Sequence, residues 1–170
     1  MLLMAFLLLY GCASMSEKEC LTVNWEEKGY RDGMYGFPIS RVEDHREACY
    51  KVGVIPDVRK YSSGHEEGIA KYCTPGNAIN EGIMGRAYRN ACPPELEHEF
   101  LENYHAGLRI YQARQRIDQL HHNAMQLEYR LMAEKDFRVR GMLRNRLQLI
   151  DMELINARHD LMYFERMLTH

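Results

Sequence analysis

IYQARQRIDQLHHNAMQLEYRL, residues 110–131, and LRNRLQLIDMELINARHDLMYFERML, residues 143–168, decide the fold. In the first stretch Ile110, Ala113, Ile117, Leu120, Ala124, Leu127 and Leu131 recur at intervals of three and four. In the second, Leu143, Leu147, Ile150, Leu154, Ala157, Leu161, Phe164 and Leu168 do the same. Such a seam marks a coiled coil. The two seams are out of phase, because continuing the first would put Arg138 and Asn145 in the core. A break therefore falls near residues 135–139. Folding the chain there sets each alanine opposite a large residue: Ala113 faces Leu161, Ala124 faces Ile150 and Ala157 faces Ile117, while Leu120 meets Leu154. Layers of even volume fill the space between two helices. We read residues 95–170 as a long antiparallel helical hairpin, in preference to one intermolecular coil, because the phase break coincides with the centre of this pairing. A first helix from Glu95 to Ala133 would be about 58 Å long at 1.5 Å per residue. Beside the seam the pairing sets Glu128 toward Arg144, Arg116 toward Asp160 and His121 toward Asp151, and brings Arg114 close to Arg158 and Arg130 close to Arg146.

Upstream of the hairpin the composition changes. All five prolines and nine of the twelve glycines fall between Gly29 and Pro94. Proline punctuation at Pro38, Pro56, Pro75 and Pro93-Pro94 divides residues 12–94 into short helical pieces. Ser40 is placed to cap Arg41–Lys51, with Glu43 completing a capping box, and Asp57 to cap Val58–Tyr72. Glycine and tyrosine recur at helical spacing: Gly29, Gly33 and Gly36; Tyr61, Gly64, Gly68 and Tyr72; Gly82, Gly85 and Tyr88; Tyr104, Gly107 and Tyr111. Glycine costs a helix about 1 kcal/mol, so a glycine stripe points to close approach of helix backbones. The alternative is a tyrosine-lined groove for a ligand.

Residues 1–11 combine an apolar run with small residues and read as a signal peptide. Leu9-Tyr10-Gly11-Cys12 resembles the lipobox of bacterial lipoproteins, which implies acylation at Cys12. Ala13 stands where an inner-membrane retention signal would have Asp, so the resemblance implies the outer membrane, facing the periplasm. In that oxidising compartment Cys20, Cys49, Cys73 and Cys92 form two disulfides. Three connectivities are open. Sequential pairing, Cys20 with Cys49 and Cys73 with Cys92, is favoured because each bridge then staples neighbouring helices. The widely spaced cysteines lack the close pairs of a zinc site.

With 22 Lys plus Arg against 24 Asp plus Glu, the chain has no overall basic excess for nucleic acid. It contains no nucleophile elbow, phosphate loop, dinucleotide fingerprint or zinc-protease helix, so neither enzyme nor cofactor is expected. Glu95, His98, Glu102 and His105 share a helix face, but the two histidines are about 10.5 Å apart along the axis, too far for one ion. Lys135, Arg138, Arg140, Arg144 and Arg146 gather around the proposed turn. These arginines are the candidate partner contact, for a phosphate or carboxylate.

Trp25 to Gly36, His45-Arg46-Glu47-Ala48-Cys49, YSSGHEEGIAKYCTPGNA, EGIMGRAYRNACP and ELEHEFLENYHAG resemble the family of unknown function DUF2799 over about residues 20–111. That resemblance implies exported bacterial lipoproteins and carries over no catalytic residue. The expectation is therefore an all-α protein: a disulfide-stapled head followed by a hairpin that serves as an adaptor. Its partners would be the membrane through Cys12, another envelope protein, and a second copy through the coil. A ligand-binding head is the rival reading.

Overall fold

The computed structural model describes residues 14–168, and among these there are seven α-helices and no strand. They are α1 Glu17–Thr22, α2 Trp25–Met34, α3 Arg41–Cys49, α4 Val58–Tyr72, α5 Pro75–Ile83, α6 Pro94–Ala133 and α7 Phe137–Met167. Side-chain caps fix several of the starts. Ser16 and Glu19 form a capping box on α1, Asn24 caps α2, Asp57 Oδ1 accepts from the Lys60 amide in α4, and Thr74 caps α5 ahead of Pro75. Ser40 departs from expectation. It already lies in the helical region (φ −61°, ψ −12°) and makes no side-chain cap bond, while Glu43 pairs with Arg46 at 2.6 Å.

The chain divides into two compact units, one of residues up to Tyr72 with Arg89–Cys92, the other of Cys73–Tyr88 with Pro93 onward. This corrects the boundary at residue 94 that composition suggested. Cys73–Tyr88 belongs with the hairpin because α5 packs along the start of α6, glycine against backbone.

In the first unit α2 lies on α4. A Cβ at Gly29 would run into the carbonyl of Tyr61, and one at Gly64 into the carbonyl of Glu26. Gly33 and Gly68 make the same kind of backbone approach one turn on. At the end of α2, Gly36 takes φ +64° and lies under the ring of Tyr72. Met15, Cys20, Trp25, Val42, Cys49 and Tyr61 form the core around this pair.

The second unit repeats the device. α5 meets α6 through Gly82 against the Tyr104 carbonyl and Gly107 against the Ile79 carbonyl, and Gly85, at φ +65°, lies under the ring of Tyr111. The correspondence is residue by residue. His65 Nε2 donates to the Phe37 carbonyl (2.8 Å) just as the Tyr104 hydroxyl donates to the Arg86 carbonyl (2.8 Å). Beyond Tyr111 the same long helix becomes the first arm of the hairpin. Leu120, Ile150, Leu154 and Ala157 are buried together, with Ile117, Ala124 and Leu127 packed against them. The break falls at residues 134–136, where Asp136 caps α7.

Candidate functional site

Two places in the molecule gather polar or exposed groups beyond what folding a helix requires. The first is buried. Lys28 and Asp32 are one turn apart on α2, and Asp32 falls between Gly29 and Gly33 on the face turned to α4, so its carboxylate goes inside with them (5% exposed). His45, four residues before the buried Cys49 on α3, is drawn in by the Cys20–Cys49 disulfide (Cα–Cα 5.4 Å) and has 0% exposure. His45 Nε2 donates to Asp32 Oδ2 at 2.6 Å, Tyr61 donates its hydroxyl proton to the same oxygen at 2.9 Å, and the Lys28 ammonium stands 3.4 Å from Oδ1. On its other side His45 Nδ1 meets Ser14 Oγ at 2.8 Å. Burial alone would raise the Asp32 pKa. The His45 hydrogen bond, the Lys28 charge and the Tyr61 hydroxyl outweigh it and hold the carboxyl below its ordinary range. The Tyr61 hydroxyl is pushed up, first by burial and then by the adjacent carboxylate. The network clamps residue 14, where the described chain begins, onto α2, α3 and α4. Sequence reading passed over it. The signals were an acid inside a glycine stripe and a histidine one turn from a bridging cysteine, both positions on faces bound to be buried.

In the second unit Glu81, one residue before Gly82 as Asp32 is before Gly33, is also buried (8% exposed) and accepts from Arg86 at 2.7 Å. Phe100 stands where α4 has Tyr61, so this acid has no counterpart of the Tyr61 hydroxyl. Of the tyrosines in the repeated pattern, Tyr61 (0% exposed), Tyr72 (3%) and Tyr104 (7%) fill space in the packed helices, while Tyr88 and Tyr111 are half-buried.

The second place is the hairpin. Around its turn Met125, Tyr129, Met132, Phe137 and Met142 are 60–83% exposed. Arg138, Arg144 and Arg146 are exposed there. Arg140 is engaged otherwise, since its Nη1 donates to the carbonyls of Leu131 and Glu134, each at 2.9 Å, and so closes the C-terminal end of α6. On α7 the side away from the core carries Met152, Ile155 and Met162, each more than half exposed, together with exposed His159.

The ion pairs beside the seam differ from those expected. Arg116 pairs with Glu153 (3.5 Å), Arg114 with Glu165 (2.9 Å), and Arg158 donates to His121 Nε2 (3.2 Å). Long side chains reach past their level partners, which relieves the approach of Arg114 to Arg158. His98 and Glu102 form an exposed pair at 3.9 Å, and among the described residues no three His, Cys, Asp or Glu side chains converge as a metal site. Cys73 and Cys92 are disulfide-bonded, as Cys20 and Cys49 are. Cys12 lies outside the described residues. Among those described, no helix is long and apolar enough to cross a membrane.

No curated protein and no solved structure matches the chain. A family model described as "Protein of unknown function (DUF2799)" matches residues 24–109, just over half of the chain, including the whole of α2, α4 and α5 and the start of α6. With its paired glycine stripes inside that match, the chain belongs to the DUF2799 family.

Proposed function

We propose that this protein is a non-catalytic cell-envelope lipoprotein, acylated at Cys12 and held in the outer membrane facing the periplasm, whose hairpin docks a helix of a partner envelope protein. The observation that carries this reading is a second seam on α7. Met152, Ile155, His159 and Met162 follow one another at intervals of three, four and three, flanked by Leu149 and Tyr163, on the side opposite the hairpin core. A helix with one apolar seam is satisfied by one neighbour, and a helix with two has room for another. The amino terminus fits the same picture, since Ser14, two residues after Cys12, is bound to His45 and would hold the head close to its anchor.

A photo-crosslinking amino acid at position 155 in cells tests the proposal. The expected product is a covalent adduct with one envelope protein, lost when Met152 and Met162 are replaced by Asp. Adducts consisting only of a second copy of this chain would replace the adaptor with a homo-oligomer. Absence of any adduct would overturn the reading.

A further inference from the structure

The turn of the hairpin has a different character from the seam on α7. Within residues 125–146 six cations, Arg130, Lys135, Arg138, Arg140, Arg144 and Arg146, outnumber three carboxylates, although the whole chain carries a net −2. Two of those carboxylates are turned back onto the backbone. Glu134 Oε1 accepts from the amides of Lys135 (2.7 Å) and Asp136 (2.9 Å), and Asp136 Oδ1 accepts from those of Arg138 (2.7 Å) and Val139 (3.1 Å). The exposed cations thus dominate the surface of the turn.

The exposed apolar side chains sit at the same end. Met132 is 77% and Phe137 83% exposed at the two helix ends that face the turn, and Tyr129 (73%) and Met142 (63%) lie four and five residues back along α6 and α7. At 1.5 Å per residue these four occupy the last 6 to 8 Å or so of the hairpin. They do not form one stripe. Phe137 and Met142, five residues apart, are about 140° apart around the axis of α7. A partner protein covers one side of a helix end, whereas a bilayer interface surrounds whatever enters it. Apolar side chains distributed around an end, with tyrosine and cations beside them, match the depth and layering of an interfacial segment, which enters about 5–10 Å.

We infer that the turn of the hairpin inserts into an anionic phospholipid surface, with Met132 and Phe137 at the acyl boundary and Lys135, Arg138 and Arg144 among the phosphates. This contact is independent of the seam on α7.

The test uses the full chain with Cys12→Ser, so that acylation contributes nothing, and Phe137→Trp as a local reporter at an exposed position. Emission is read as the difference from the same chain without the added tryptophan. On vesicles of phosphatidylglycerol and phosphatidylcholine at 0.1 M salt, the reporter should shift to the blue and be quenched by brominated acyl chains. Lys135→Gln with Arg138→Gln should lower partition of the reporter about 25-fold, at about fivefold per cation. On phosphatidylcholine alone no shift is expected. Emission that stays aqueous on anionic vesicles, or shifts equally on both vesicle types, overturns the inference. So does a shift seen only with lipid-free envelope protein, which would assign the turn to a protein partner. Met152→Asp with Met162→Asp, which should abolish the adduct at position 155, should leave the reporter unchanged, so the two proposals fail separately.

Discussion

Asp32 receives His45, Tyr61 and Lys28 at once, and the fold depends on its charge. Its pKa in the folded protein lies below the unfolded value, so its contribution is complete above the ordinary carboxylate range. That contribution is lost as pH falls through that range and then through the lowered folded value. Tyr61 behaves in the opposite sense: its raised pKa keeps its contribution intact below pH 10 and loses it as pH rises further. Asp32→Asn should therefore cost about 3 kcal/mol at pH 7 and flatten the acid limb of a stability profile measured by denaturant titration. An acid limb as steep as that of the parent would deny Asp32 this role. The glycines give a second test at the same scale. Gly64→Ala drives a methyl group into the Glu26 carbonyl, where only backbone can yield, and should destabilise by about 1–3 kcal/mol or more. Gly141, inside α7, has open space around its missing Cβ, and Gly141→Ala should stabilise by about 0.5–1 kcal/mol. Thermal melts of the two variants should move in opposite directions.

Among the elements, α6 serves two partners in succession. Tyr104 and Gly107 meet α5, then Ile117, Leu120, Ala124 and Leu127 face α7. The second partnership was legible in the sequence because a seam repeated over many turns sums many weak preferences into one phase, and a change of phase marks a turn. The first was legible only as spacing. Gly82 and Gly107 stood out as small residues at helical intervals, yet nothing local says which glycine stripe meets which. The register between α2 and α4, repeated between α5 and α6, is a matter of backbone contact across the chain. Leu120→Asp tests the hairpin. Placing a carboxylate beside Ile150 and Leu154 should cost several kcal/mol, and cysteines at 120 and 154 should join within one chain at any protein concentration. Joining only between chains would replace the hairpin with an intermolecular coil.

At the scale of the molecule the Cys20–Cys49 disulfide closes a loop with a sequence separation of 29 and brings α1 to α3. Replacing both cysteines by alanine should remove about 3.5 kcal/mol in the chain-entropy model and lower the first transition in a calorimetric scan. An unchanged scan would mean that the helices alone hold this unit. By itself the sequence determined the helical class, the two long arms, their turn and the disulfide state of four cysteines, because periodicity, proline placement and an even cysteine count are local or additive properties. Tertiary structure alone decided that Cys73–Tyr88 joins the hairpin, that Arg140 closes a helix end, and that Ser14, Asp32, His45 and Tyr61 meet. Those outcomes depend on which faces are pressed together, and a buried hydrogen bond between residues far apart in sequence leaves no periodic trace in any one helix.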